Sequence, residues 1–139
     1  MQVHVNYLAV FLAMVSSLIV GSVWYAPKVF GTIWIKLTKI DTKNNRGSVL
    51  KPIAITVVVS LITAYVLAHV AYLSNQFFHH SFLQDSLTTA FFMWLGFTAT
   101  RFITHDAFEG RPVTLTVLNL GNEFITFMLM GLIIGLMGA

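Results

Sequence analysis

The chain has 139 residues, of which 57% are hydrophobic and only 9% charged, too few charges for the wetted surface of a soluble domain of that size. It contains no cysteine, which excludes disulfides, thiolate metal sites and a cysteine nucleophile. A formal charge of +3 suits contact with anionic lipid and gives no reason to invoke nucleic acid.

Four apolar stretches, residues 5–26, 52–73, 87–104 and 113–137, each approach the ~20 residues that a helix needs to cross the hydrocarbon core. They predict an all-α fold, with one membrane domain over residues 1–139 and a bundle of four transmembrane helices. The first stretch has no basic segment before it and is too long for a signal-peptide core, so it is kept as the first helix. Ala9, Ala13, Ser17 and Gly21 recur in it at unbroken four-residue spacing, which makes a groove for close approach of another helix. Trp24 stands at its end as an interfacial anchor, and Pro27 terminates it.

Residues 28–40 have a second character. Val29, Phe30, Ile33, Trp34 and Leu37 fall on one helical arc, with Lys28, Thr32, Lys36 and Lys39 on another; Ile35 breaks the pattern. This predicts an amphipathic helix on the inner leaflet between the first two spans, with Trp34 at headgroup depth and the lysines toward anionic lipid. A passive anchor is favoured over a lipid sensor. Residues 41–48, with Asn44, Asn45 and Gly47, read as a polar turn.

Lys28, Lys36, Lys39, Lys43, Arg46 and Lys51 all fall between the first and second spans, whereas residues 74–86 contain no Lys or Arg. The positive-inside rule therefore makes segment 27–51 cytoplasmic. Arg101 and Arg111 return to that side, and both termini face outward from a cell (inner) membrane. The second span has Ser60, Ala64 and Ala68, and the fourth has Gly131 and Gly135. These small residues serve the bundle or a partner subunit equally well, and a homo-oligomer is expected.

His4, His69, His79 and His80 gather toward the outer side, where Asp85 could add an oxygen ligand. Their spacing matches no metal pattern, so no metal is assigned. Between the third and fourth spans, Arg101 and Arg111 are expected to form a loop network with Asp106 and Glu109. Gly110 allows the reversal and Pro112 starts the fourth helix. A well-built turn is the favoured reading over a gate or anion site on Arg111.

Glu123 lies about 16 Å into the fourth helix, near mid-bilayer. A charge there costs about 2.5 to 3.5 kcal/mol, so the residue must face the interior, find a partner or hold a proton. Thr116, Asn119, Glu123 and Thr126, with Asn122 beside them, form one polar stripe. Either the stripe lines a polar pocket in which Glu123 binds and releases protons, or it hydrogen-bonds neighbouring helices and fixes their register. Phosphate-loop, paired-cysteine and His-Glu-x-x-His motifs are absent from the sequence, and Ser16 and Ser17 have no His-acid partner. No enzyme and no cofactor are expected.

Three blocks carry a family resemblance. The first is Asn6, Gly21, Trp24-Tyr25-Ala26-Pro27, Phe30-Gly31 and Trp34. The second is Trp94-Leu95-Gly96-Phe97 with Ala99-Thr100, leading to Phe108-Glu109-Gly110-Arg111-Pro112. The third is Asn119, Gly121 and Met130-Gly131 to Gly135. In these the chain resembles the small membrane proteins grouped as domain of unknown function family 1761, DUF1761. The resemblance implies a four-helix membrane family with no assigned activity. The chain departs from the family pattern at Asn122-Glu123, where an aromatic pair usually comes after the glycine. The reading is small-solute or proton-linked transport, or ligand or lipid binding, in a pocket around Glu123. The alternative is a non-catalytic subunit that docks other helices through its small-residue grooves.

Overall fold

The computed structural model describes residues 3–40 and 50–138. The expected turn at 41–48, with Lys43 and Arg46, lies outside the described residues. Among the described residues the fold is all-α: α1 (Tyr7–Trp24), α2 (Thr32–Thr38), α3 (Leu50–Phe78), α4 (Phe82–Met93), α5 (Thr100–Phe108) and α6 (Val113–Met137), with π-helical turns at Pro27–Gly31 and Trp94–Ala99. Among the described residues three helices, α1, α3 and α6, are long and apolar enough to cross a membrane.

The expected third span differs from the other three. It begins at Phe82, and since α3 runs on to Phe78 the two helices together absorb all of the predicted outer loop except residues 79–81. It is also split, with α4 and α5 joined by the Trp94–Ala99 π turn. A π turn adds one residue and rotates the downstream helix by about 100°. The buried face of α4 at Ser86 and Ala90 would otherwise continue through Phe97, yet Phe97 is 74% exposed and Ala99 and Asp106 are buried instead. The inserted residue thus turns Asp106 toward α6.

α1 packs on α3 and α6, and α4 packs on α3 and α6. Val10, Ala13 and Met14 of α1, Ala64, Leu67 and Ala68 of α3, Ala90 of α4, and Met130 and Ile134 of α6 form one buried core. Small side chains bring these backbones close, so that dispersion contacts hold them without a solvent-driven term. Asn6 caps α1 by accepting from the Ala9 backbone N–H, and its amide donates to the Met137 carbonyl at 3.3 Å. That contact registers the start of α1 with the end of α6.

α3 is used unevenly along its length. Ala64, Leu67, Ala68 and Ala71 are buried, while Ile53, Ile55, Val58 and Val59 are all more than half exposed. Its second half closes the core and its first half stands clear of α1 and α6.

Candidate functional site

The standing-off half of α3 leaves a cleft of about 790 Å³ between α1, α3 and α6. From α6 it is lined by Asn122, Glu123 and Thr126. α1 contributes Ser17, Gly21, Ser22 and Tyr25, and α3 contributes Thr56, Ser60 and Thr63. Leu18, Val59, Phe127 and Met130 supply apolar wall.

Most hydroxyls of the cleft are tied to their own helices. Ser17 donates to the Met14 carbonyl at 2.7 Å and Ser22 to that of Leu18 at 2.7 Å. Thr56 donates to the Pro52 carbonyl at 2.9 Å and Thr63 to that of Val59 at 3.0 Å. Tyr25 donates across to Asn119 Oδ1 at 3.1 Å. Asn122 is 7% exposed, and its amide nitrogen has no partner among the described residues.

The polar stripe of α6 therefore serves three neighbourhoods. Asn122, Glu123 and Thr126 face the cleft, and Asn119 holds its rim through Tyr25. Thr116 belongs elsewhere: its hydroxyl donates to Asp106 Oδ2 at 2.7 Å. The cleft also fixes where Glu123 stands relative to α1. Tyr25 sets the end of α1 level with Asn119, so Glu123 is only about 6 Å, roughly one turn, beyond that end and about 21 Å from Met137.

In the loop, Asp106 is 6% exposed and gathers Thr116 and, at 3.6 Å, Arg111 Nε. Arg111 Nε also donates to Glu109 Oε2 at 2.6 Å, and its backbone N–H donates to the Asp106 carbonyl. Gly110 takes the positive φ of +66° that the reversal needs. Arg101, expected in this network, is exposed and forms no ion pair among the described residues. Arg101 and Asp106 stand five residues apart on α5, about 140° around the helix, so with Asp106 turned inward Arg101 is left on the outer face.

The packing residues divide in the same way. Ala9 and Ala13 are buried. A Cβ on Gly131 would meet Ala90 Cβ at 2.7 Å, and one on Gly135 would meet Leu83 Cα at 2.8 Å, so both glycines admit α4. Gly21 has nothing within 4 Å and Ser17 reaches the cleft wall, so the groove of α1 changes from packing to lining along its length. Trp24 packs on Phe30 at 4.5 Å and covers Gly121. Trp34 meets Tyr25 edge-on at 5.5 Å. Within segment 27–40, Phe30, Trp34 and Leu37 are partly covered, whereas Val29 and Ile33 stay exposed. Gly31 lies beneath the Tyr25 carbonyl, where a Cβ would collide with it.

At the far end, Asp85 is buried and accepts from Asn75 at 2.8 Å, with His80 Nδ1 at 3.1 Å. No group of His, Asp and Glu suited to a metal occurs among the described residues.

Residues 8–135 match the family described as protein of unknown function (DUF1761). The chain belongs to DUF1761. No curated protein and no solved structure matches it. The DUF1761 match spans every residue of the cleft and of the Asp106 network, and the family description assigns no activity, so the chemistry of the cleft rests on its geometry. Sequence reasoning named the α6 wall of this DUF1761 cleft and missed the other two. Thr56, Ser60 and Thr63 recur at helical spacing on α3, as do Ser17, Gly21 and Tyr25 on α1, and those periodicities were the available signal.

Proposed function

We propose that this DUF1761 protein is a multi-pass inner-membrane protein that binds a small solute, with a linked proton, in the cleft centred on Glu123, Asn122 and Thr126. The four passes are α1, α3, the α4–α5 rod and α6, with the basic 27–51 segment cytoplasmic and both ends outside. The observation that carries the reading is a carboxylate and an unpartnered buried amide in one cleft of about 790 Å³. An ionisable group within a membrane span is expensive unless it has a use.

The role is binding or transport rather than catalysis. Lysines 28, 36 and 39 on segment 27–40 face anionic lipid in this reading. The docking-subunit alternative has less support, since Ala9, Ala13, Gly131 and Gly135 are already covered by the chain's own helices.

Native mass spectrometry of the lipid-extracted protein, wild type beside Glu123→Gln, tests the proposal. A small molecule retained by the wild type and absent from an intact variant supports it. No ligand in either, with a subunit number that collapses in the variant, makes Glu123 an assembly residue and defeats it. The same spectra read the expected homo-oligomer.

A further inference from the structure

We infer that the occupant of the cleft is a lipophilic organic cation bearing N–H donors, a primary ammonium or guanidinium on an apolar body. The inference rests on the solute-binding reading above and names its ligand class. Its basis is the hydrogen-bonding capacity that the cleft has left to offer.

Ser17, Ser22, Thr56 and Thr63 have each given their proton to a carbonyl of the preceding turn. Tyr25 has given its own to Asn119. What these five groups keep for a ligand is lone pairs. Glu123 adds a carboxylate, and among the described residues no Lys, Arg or His lines the cleft. Among the described residues, free donation into the cleft is limited to the Ser60 and Thr126 hydroxyls.

An anion would meet a carboxylate and a row of acceptors with no cation to receive it. A cation with N–H groups finds the reverse, because N–H donors to a carboxylate form strong, charge-assisted bonds. Leu18, Val59, Phe127 and Met130 cover the hydrocarbon part. A bare metal cation fits poorly, since its oxygen ligands must converge to about 2.3–2.6 Å, whereas this cleft is about 790 Å³ and partly apolar. A phospholipid amine would bring its phosphate beside Glu123, so a free solute fits better than a headgroup.

The test is calorimetric titration of the full chain in phosphatidylcholine nanodiscs with a matched series. The probes are 2-phenylethylamine, its N,N,N-trimethyl derivative, 2-phenylethanol and phenylacetate, with sodium chloride alone as the metal-ion probe. The expected result is binding of the primary amine, with the trimethyl derivative and the alcohol each weaker by about tenfold or more, as loss of a hydrogen bond to a charged group implies. Phenylacetate and sodium give no heat. Glu123→Gln lowers amine affinity by about tenfold or more on the same grounds.

Gly21→Leu provides a second variant, since Gly21 faces open space in the cleft and the change removes a helix-weakening glycine. It folds and loses the amine. Repeating the titration in phosphatidylethanolamine separates the two sources of an ammonium group. A weakened amine signal identifies the lipid headgroup as a competing occupant and an unchanged one a free solute, and both leave an N–H cation in the cleft.

Equal binding of phenylacetate or phenylethanol, competition by sodium, or an amine affinity untouched by both variants overturns the inference. If native mass spectrometry then still finds a neutral or anionic molecule lost in Glu123→Gln, the pocket stands and only its ligand class falls. If no molecule is retained and no probe binds, both fall.

Discussion

Replacing Gly131 and Gly21 by alanine, one at a time, separates the packing role of a glycine from its helix-weakening role. Both lie within helices, α6 and α1, so each substitution gains about 1 kcal/mol of helix propensity. They differ in what the new methyl meets. At Gly131 it lies 2.7 Å from Ala90 Cβ and 3.1 Å from the Ser86 carbonyl oxygen. Neither atom can swing aside, since an alanine Cβ and a carbonyl move only with the α4 backbone. Carbon pairs prefer ~3.5–4.0 Å, so α4 must retreat by about 1 Å along a contact that includes the fully buried Ala90. Overpacking of this kind costs about 1–3 kcal/mol. At Gly21 the methyl meets nothing within 4 Å. The propensity gain cancels in the difference, so Gly131→Ala should be less stable than Gly21→Ala by about 1–3 kcal/mol. Reversible unfolding in mixed micelles with increasing SDS, followed by circular dichroism, measures that difference. Equal stability of the two variants would refute the close α4–α6 approach.

Three further outcomes are expected from the same contacts. Asp106→Ala leaves the Thr116 hydroxyl and Arg111 without their buried acceptor and should cost about 1–3 kcal/mol, whereas Arg101→Ala, on the exposed face, stays within about 0.5 kcal/mol; thermal unfolding of both variants in one detergent compares them. Tyr25→Phe keeps the edge-on contact with Trp34 but removes the donor to Asn119 Oδ1, and should lose about 0.5–1.5 kcal/mol; a loss in Tyr25→Phe that persists in the Asn119→Ala background would show that the bond is not its cause. Asp85→Ala, buried with two side-chain partners, should destabilise by more than His80→Ala, whose ring is half exposed; hydrogen exchange at the α3–α4 connection reads both, and an equal effect would remove Asp85 from the centre of that cluster.

How much of this was legible depends on what surrounds each segment. The runs that became α1 and α6 were plain because they are uninterrupted. Residues 74–78 looked like loop because Ser74, Asn75 and Gln76 are polar, yet the helix continues through them. Asn75 is consumed by the His80 carbonyl and Asp85, contacts that exist only once α4 has folded back. The break within the third apolar stretch was not legible because periodicity assumes one angular step throughout. The π turn at Trp94–Ala99 changes that step, and with it the side on which Arg101 and Asp106 fall. The α6 stripe was correct as a helix face, but a face does not reveal its neighbours. Thr116 lies beside α5, Asn119 beside the end of α1, and Glu123 beside open space.

The series Ala9, Ala13, Ser17 and Gly21 depends on its neighbours in the same way, and here the dependence bears on function. Identical spacing serves packing at one end and lining at the other, and the change comes where α3 ceases to lean on α1. The cleft therefore has walls of different kinds. Toward Asn6 and Met137 it is stopped by Met14, Ala64 and Met130, part of the buried core. Toward Tyr25 it is bounded, among the described residues, by a hydroxyl-to-amide bond and by the edge contact with Trp34 of the basic segment. A single hydrogen bond contributes about 0.5–1.5 kcal/mol net, while parting several buried aliphatic side chains costs about 2–5 kcal/mol for each one fully withdrawn from its neighbours. On the proposed solute-binding reading, a solute at Glu123 would exchange through the Tyr25 end, and release at the opposite end would require the core itself to open. Binding needs only the first of these movements and transport needs both. Restraining the core at Ala64 and Met130 by a cross-link is accordingly expected to abolish flux while sparing affinity.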